Sequence, residues 1–550
     1  MAEIKKLLIV GGVAGGASAA ARARRLNDGA EIVMLERGAY VSFANCGLPY
    51  HLGGEIEQRE SLLLHTPQSL TARFGLDVRV NSEVESIDRA GKTVRVFDRV
   101  RGQHYDESYD ALILAPGAAP VRPPLPGLDD PRVMTLRSLP DLDRLMAALT
   151  ADVAHVTVVG GGFIGLETVE ALRRRGLDVA LVERSAQVMT PFDAEMAAPL
   201  SAQLRAHGVE LLLGESLARV DAGARLELRL ESGRGVATDL LILAIGVRPE
   251  TGLARAAGLA IGASGGIRVD ARQQTSDPSI YAVGDAVEVA HALDGRPVLL
   301  PLAGPANRQG RIAADAIFGR TAQYRGSQGT AVCKVFSLTA ACTGLAEKSL
   351  LAAGVRFRKL YLHGNDHAGY YPGATPISLK LLFDPESGRL LGAQAVGEKG
   401  VDKRIDVLAV ALQAGMTVDD LAEMELCYAP PYGSAKDPVN LLGMAAQNLQ
   451  QGLLRLVQPE ELAGLGDVQL IDVREAEEVA AGAIPGARNL PLSGLRTLDG
   501  LLYRERPVVV YCMVGLRGYI AQRQLQQRGF DVRSLNGGYK TWLMWKQTSA

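Results

Sequence analysis

In the first half of the chain, short apolar runs end abruptly in glycine. Residues 5–10 (KKLLIV) form one such run. GGVAGG follows (Gly11, Gly12, Gly15, Gly16), then the alanine-rich stretch ASAAARARRL and a second run, EIVML, closed by Glu36. Unbroken apolar runs of this length read as strands buried on both faces, so the pattern predicts a strand–turn–helix–strand unit. It recurs in HVTVVGGGFIGLETVEALRRRGLDVALVERS, with Gly160, Gly162, Gly165 and a strand ending at Glu183. LILAPGAAP (112–120), LLILAIGVRP (240–249) and TSDPSIYAVGDAVE (275–288) are further runs into glycine turns. From about residue 327 the period changes. GTAVCKVFSLTAACTGL and SLKLLFDPESGRLLGAQAVG alternate apolar and polar residues, which predicts antiparallel strands, and VDKRIDVLAVALQAG and TVDDLAEME follow with helical spacing. Residues 450–462 read as a linker running into a new helix. Beyond them, VQLIDVRE and RPVVVYC restore buried strands.

The repeated units carry the physics of a dinucleotide cradle. Glycines permit a tight turn and close approach to a pyrophosphate, the helix N-terminus receives the phosphate charge, and the acid after the second strand accepts from a ribose hydroxyl. In the first unit Val13 stands where the middle glycine of GxGxxG is usual; the second unit has all three. Two such units in one chain imply two bound dinucleotides.

Composition narrows the class. A chain of 550 residues, 47% hydrophobic and 22% charged, has material for several cores, and at ~150 residues per domain three to four domains are expected. A net charge of −2 argues against broad nucleic-acid binding, which needs a basic field. Five cysteines (Cys46, Cys333, Cys342, Cys427, Cys512) make no disulfide framework and contain no CxxC zinc pair, so a reducing, cytoplasmic setting without a bound metal is expected. His363 and His367 have the spacing of a metal pair, but Gly364, Asn365 and Asp366 between them predict a loop. Lys5, Lys6 and the apolar run faintly mimic a signal peptide, although the glycine turn accounts for them better. No run approaches the ~20 apolar residues of a membrane span.

Two cysteines have contexts that suggest chemistry. Cys46 lies in SFANCGLPY (42–50), after Glu36 and with no other cysteine near it. It reads either as a small buried thiol or as a redox centre beside a dinucleotide. A single cysteine stores an oxidising equivalent only as a sulfenic acid or as a disulfide with an external thiol. Cys512 ends a buried strand and opens C-x-x-G-x-R before a helix. Backbone N–H groups curled around such a sulfur, with the helix dipole behind them, stabilise a thiolate or a persulfide anion. Arg517 closes this loop, either holding it or meeting an anionic donor. Cys333, Cys342 and Cys427 read as structural.

The glycine units and the Gly284–Asp285 pair resemble the two-dinucleotide flavoprotein reductases. The resemblance implies an α/β fold with two Rossmann-type dinucleotide-binding domains and an α+β dimerisation domain. The FAD domain would be discontinuous (1–110 and 250–325), the NAD(P)H domain would span 111–249 and the dimerisation domain 327–449. It implies FAD held by Gly11, Gly12, Gly15, Gly16, Glu36, Arg37, Ala115, Gly284 and Asp285, and a nicotinamide dinucleotide held by Gly160, Gly162, Gly165, Glu183 and Gly246. Glu183 repels a 2′-phosphate, so NADH is preferred, while adjacent Arg184 leaves NADPH open. IDVRE (Asp472, Arg474), the IPGA turn and the Cys512 loop resemble a rhodanese domain, placed at 463–550 after a linker at 450–462. Gly518 replaces a usual Ser or Thr, and Ala483 a usual His, so efficient thiosulfate turnover is not expected.

SFANCGLPY is similar to the coenzyme A-disulfide reductase branch, and the whole chain to its rhodanese-fused members. That resemblance implies a homodimer with shared active sites. It assigns coenzyme A contacts to Ser18, Arg22, Arg25, Ser42, Asn45, Arg73, Asn307 and the partner-borne Lys436, and proton donation to Tyr370 and Tyr428. The activity it implies is NADH-dependent reduction of coenzyme A persulfide, polysulfide or coenzyme A disulfide through a Cys46–S–S–CoA mixed disulfide, with Cys512 accepting sulfane sulfur. Two other readings remain: an NADH oxidase or peroxidase using a Cys46 sulfenic acid, and a rhodanese sulfur carrier with a regulatory flavin module. Neither nucleic acid nor membrane is an expected partner.

Overall fold

Strand Lys6–Val10 lies at the middle of a parallel sheet in a computed structural model that describes residues 4–497 and 501–548. The termini at 1–3 and 549–550, and residues 498–500 of the expected rhodanese domain, lie outside the described residues. The chain forms two bodies, Met1–Val182 with Glu215–Ser327, and Glu183–Gly214 with Gln328–Ala550.

In the first body the sheet order is Ile280–Ala282, Ala111–Leu114, Lys6–Val10, Glu31–Leu35, Asp77–Arg79, all parallel. Leu7, Leu8 and Ile9 are fully buried, as a strand covered on both faces requires. Helix Ala14–Leu26 packs on helix Ala303–Ile317 through Ala19, Ala20, Ala23, Ala313 and Ala314. Such small residues let the backbones meet: a Cβ on Gly310 would stand 2.2 Å from the Gly15 carbonyl oxygen. The second glycine unit repeats the design, with His155–Val159 flanked by the parallel strands Asp178–Glu183 and Leu240–Leu243. One expected boundary moves. Ala111–Leu114 was expected to open the nicotinamide domain, but it pairs with Lys6–Val10 and belongs to the first sheet.

The second body holds an antiparallel sheet ordered Ala331–Val335, Leu338–Gly344, Leu390–Gly397, Pro376–Phe383, Arg358–Asn365, as the alternation predicts. Gly364 and Asn365, expected in a loop, instead continue the last strand from His363 and pair with Ile377 and Pro376. A parallel sheet follows, Leu456–Val457, Val532–Leu535, Val508–Tyr511, Gln469–Asp472, Arg488–Asn489. This corrects the expected linker. Within 450–462, Leu456 and Val457 pair with Ser534 and Leu535, so the sequence-distant strand Val532–Leu535 recruits them as an edge of the terminal sheet.

Lys380, on Pro376–Phe383, is fully buried. Its ammonium meets Asp193 at 2.8 Å, and Glu195 and Glu347 at 2.6 Å each. Desolvation opposes the charge, but Tyr361, Glu195, Asp193 and Glu347 outweigh it and hold the ammonium well above its ordinary pKa. These three carboxylates have the spacing of a cation site, and the cation is the lysine itself. Their role is to fasten helix Ala194–Ala206 and helix Glu347–Ala352 to the sheet. Lys380→Met leaves one buried and two half-buried carboxylates facing one another and should cost about 3–5 kcal/mol. In calorimetric thermal unfolding the variant should melt well below the parent, and Glu195→Gln with Glu347→Gln in the same chain should recover part of the loss. An unchanged melting temperature would contradict this account.

Candidate active site

The first glycine turn also organises the Cys46 segment. The Gly12 amide donates to Glu36 Oε2 at 2.9 Å, and the Gly12 carbonyl accepts from the Ser42 amide at 2.8 Å. One residue therefore ties the strand-end acid to the start of SFANCGLPY. Ser42 itself lies at φ 46°, a strained conformation for a residue with a Cβ. Asn45–Gly47 form a single 3₁₀ turn leading into helix Leu48–Leu52, with Pro49 in its first turn. The Asn45 side-chain oxygen accepts the Cys46 amide at 3.1 Å and lies 3.7 Å from its sulfur.

Cys46 is an exposed free thiol. Surrounding protein still desolvates the sulfur, and that burial pushes its pKa up. The carboxylates of Glu167 and Asp285 add to the rise, while Arg137 opposes it. Glu167 comes from helix Phe163–Arg174 in the second glycine unit, and Tyr50 donates to it at 3.2 Å. Asp285 lies in the Gly284–Ala286 turn, where desolvation raises its own pKa against the pull of Arg137, 3.9 Å away. Sequence reasoning found Asp285 and missed Glu167 and Arg137. Glu167 is masked inside a helix of unremarkable pattern, and Arg137 precedes a Ser138 capping box that explains the local sequence by itself.

The dinucleotide residues are disposed as a cradle. Helices Ala14–Leu26 and Phe163–Arg174 each begin with no side-chain cap and no acid in the first turn, so their first N–H groups are available to an anion. Nothing lies within 4 Å of where a Gly162 Cβ would be, which leaves the backbone open to a phosphate. A Gly16 Cβ would lie 1.9 Å from the Gly11 carbonyl oxygen. The Gly284 amide donates to Gln309 at 2.7 Å. The donor set fits two dinucleotides. Glu36 also accepts the Gly38 amide, and Glu183 the Ser185 amide, so backbone hydrogen bonds aim both carboxylates. Arg37 forms a bidentate pair with Glu250 at 2.8 and 2.5 Å. Ala115 continues the Lys6–Val10 pairing through its amide, and Gly246 takes φ 108°.

Among the residues expected to touch coenzyme A, Ser18 and Asn307 are hydrogen-bonded to each other. Arg22 and Arg25 part company: Arg22 is half-buried and holds Asp315 at 2.6 and 2.8 Å, while Arg25 is exposed. Arg73 is exposed, its guanidinium 5.3 Å from the Phe74 ring centre. In the second body Tyr370 and Tyr428 are 76% and 49% exposed, and their hydroxyls are 3.0 Å apart. This hydrogen bond pushes the Tyr370 phenol up. Lys436 is exposed just before helix Pro438–Gln450.

Cys512 occupies a different environment. It is 1% exposed, and the Gly515 amide donates to its sulfur at 3.2 Å. The amides of Tyr539 and Lys540, opening helix Gly538–Lys546, hold the carbonyls of Cys512 and Met513. Arg517 forms two hydrogen bonds of 2.6 Å to Glu478, so it holds the loop. Glu478 escaped sequence reasoning because it sits in a run of acids, Glu475, Glu477 and Glu478. Behind the loop, Arg474 and Asp472 form a fully buried pair at 2.6 Å.

Comparison with known proteins matches residues 5–310 to the pyridine nucleotide-disulphide oxidoreductases, 330–438 to the dimerisation domain of those enzymes, and 458–544 to rhodanese-like domains. A coenzyme A disulfide reductase of Staphylococcus epidermidis is 35% identical over 446 residues, covering 81% of this chain and all of that protein. The crystal structure of reduced Bacillus anthracis CoADR-RHD superposes with a TM-score of 0.97 at 47% identity, over 99% of this chain and 98% of that one. A NAD-dependent persulfide reductase from A. fulgidus gives 0.93 at 36% identity, over 98% and 100%. The chain belongs to the pyridine nucleotide-disulphide oxidoreductase family and ends in a rhodanese-like domain.

Proposed function

We propose that this flavoenzyme uses NADH to reduce coenzyme A persulfide, polysulfide and coenzyme A disulfide through a Cys46–S–S–CoA mixed disulfide, and that Cys512 accepts sulfane sulfur. One observation carries the reading: Cys46 is an exposed, free thiol on the 3₁₀ turn that Asn45 opens. Such a thiol needs an external sulfur to complete a disulfide. The names of the similar proteins, a coenzyme A disulfide reductase and a persulfide reductase, support coenzyme A and persulfide as its partners.

FAD is assigned to Gly11, Gly12, Gly15, Gly16, Glu36, Arg37, Ala115, Gly284 and Asp285, in residues 1–110 and 250–325 together with the strand Ala111–Leu114 and its end at Ala115, and NADH to Gly160, Gly162, Gly165, Glu183 and Gly246. When bound, FAD supplies a two-electron relay between nicotinamide and sulfur. The protein's own groups do the rest. Cys46 thiolate attacks coenzyme A disulfide, forms the mixed disulfide and expels one CoA thiolate. Two electrons then cleave the mixed disulfide to Cys46 thiolate and a second CoA thiolate. With coenzyme A persulfide, attack on the inner sulfur forms the same mixed disulfide and expels hydrosulfide. Attack on the outer sulfur forms a Cys46 persulfide and expels CoA thiolate. Asn45 orients the sulfur. Ser18, Arg25, Ser42, Arg73 and Asn307, with Lys436 contributed by a second subunit of a homodimer, are the coenzyme A contacts. Arg22, hydrogen-bonded to Asp315, is assigned as a further contact to coenzyme A. Tyr370 and Tyr428, exposed and sharing one hydrogen bond, donate a proton to the leaving thiolate.

Cys46→Ser should reduce NADH-dependent sulfide release from coenzyme A persulfide to background, a loss of roughly a thousandfold or more. The reading fails if the variant still releases sulfide. Mass spectrometry of the purified protein should find a CoA adduct on Cys46; a sulfenic acid without CoA would favour the oxidase reading. Tyr370→Phe and Tyr428→Phe should each lower the disulfide-reduction rate by about a hundredfold while flavin reduction by NADH is unchanged. The electrostatic setting of Cys46 is tested by alkylation with iodoacetamide across pH. Arg137→Gln removes the only opposing cation named above, so the alkylation midpoint should move to higher pH. Glu167→Gln removes a carboxylate, so it should move to lower pH.

A further inference from the structure

The Cys512 loop has a peculiar charge distribution. In the reaction class assigned to it, a thiolate attacks a sulfane sulfur, and a dianionic donor such as thiosulfate must approach that negative charge. Like charges at short range need an uncompensated cation between them. The loop's cation, Arg517, faces the Cys512 sulfur, but the bidentate bond to Glu478 offsets its charge, so thiolate, guanidinium and carboxylate together leave a net negative charge. Arg474 behind the loop is fully buried and neutralised by Asp472. Lys540, whose amide meets Met513, has its ammonium disfavoured by desolvation, and its charge is felt by His363. The rim, meanwhile, is apolar. Val514 and Leu516 project from the loop at 36% and 67% exposure, and Ile520 stands one helical turn beyond Leu516 at 38%. A dianion with three strongly hydrated oxygens and a terminal sulfur would have to shed water against these side chains to reach Cys512, a residue that is 1% exposed.

We infer that Glu478, together with the Val514–Leu516–Ile520 rim, makes the Cys512 site selective for alkyl persulfides over thiosulfate. The inference rests on the reading of Cys512 as a sulfane-sulfur acceptor and names its donor class. The step is R–S–SH + Cys512–S⁻ → Cys512–S–SH + R–S⁻. The donor's S–S bond breaks, a new bond forms between Sγ and the outer sulfur, the proton stays on that sulfur, and the electron pair leaves with the alkyl thiolate. No external oxidant or reductant enters. Glu478 acts through Arg517 and is a positioning residue; the apolar rim meets the alkyl chain.

The test is donor competition on the flavin-loaded full chain in a Cys46→Ser background. Peptide mass spectrometry reads the fraction of Cys512 carrying one added sulfur after brief exposure to n-butyl persulfide or to thiosulfate. The persulfide should load Cys512 and thiosulfate should do so poorly. Glu478→Gln frees the Arg517 charge and should raise thiosulfate loading by about tenfold, the scale of one released charge at a half-exposed site, with little change for the persulfide. Leu516→Lys, on the exposed rim and outside the loop's hydrogen bonds, should shift the ratio the same way even if Glu478→Gln disturbs the loop. Equal loading by both donors in the parent, or an unchanged donor ratio in both variants, overturns the inference while leaving Cys512 as an acceptor. If neither donor loads Cys512, the acceptor reading itself falls, and the inference with it.

Discussion

The approach of backbone to backbone at the first glycine turn is the constraint from which the flavin half of this protein follows. Gly16 lies so close to the Gly11 carbonyl that no Cβ fits, and Gly310 of a sequence-distant helix lies equally close to the Gly15 carbonyl. That proximity brings helix Ala303–Ile317 onto helix Ala14–Leu26. With it come Asn307 to Ser18, Asp315 to Arg22, and Gln309 to the amide of Gly284. The same turn spends the Gly12 amide on Glu36 and the Gly12 carbonyl on Ser42. The dinucleotide cradle and the thiol segment are thus one hydrogen-bonded object. A side chain introduced at Gly11, Gly16 or Gly310 would displace both together.

The two thiols are prepared in opposite ways. Cys46 is exposed yet electrostatically disfavoured as a thiolate, with Glu167 and Asp285 working alongside desolvation. Its reactivity therefore depends on Arg137 and on whatever cationic or hydrogen-bonding groups a substrate brings. Cys512 is buried, but an amide points at its sulfur from a glycine-gated helix start. The first is an accessible sulfur whose surroundings disfavour the thiolate, the second a hidden sulfur that accepts the Gly515 amide.

Much of this was legible in the sequence, for a physical reason. Glycine turns, strand-end acids and buried apolar runs are local devices, so Gly11–Gly16, Glu36, Gly160–Gly165, Glu183 and the Cys512 loop could be read from adjacent residues. What could not be read depends on contacts between distant positions. Glu167 reaches Cys46 from another glycine unit, Asp315 neutralises Arg22, and Glu478 neutralises Arg517. Strand Leu456–Val457 looked like a linker because two residues carry no period, and only pairing with Ser534 and Leu535 makes them a strand. Gly364 and Asn365 looked like loop residues by their own local preference; pairing with Ile377 and Pro376 overrode it.

Helix Gly538–Lys546, whose amides hold the Cys512 loop, has a second attachment. Thr541 hydroxyl and Ser378 hydroxyl bracket the two ring nitrogens of His363 at 2.7 and 2.9 Å, while Asn536 accepts the Tyr361 amide. Desolvation and the charge of Lys540 hold the His363 ring neutral, its pKa lowered to about 3. An unfolded histidine takes up its proton near pH 6.5. Between these values the unfolded chain binds a proton that the folded joint refuses, so acidification from about pH 6.5 toward about pH 3 progressively withdraws stability from this joint. Above that window the imidazole adds no further pH dependence. The Cys512 loop is therefore mounted on an acid-labile seam, and mild acid should loosen the terminal sheet from the antiparallel one by way of a single imidazole.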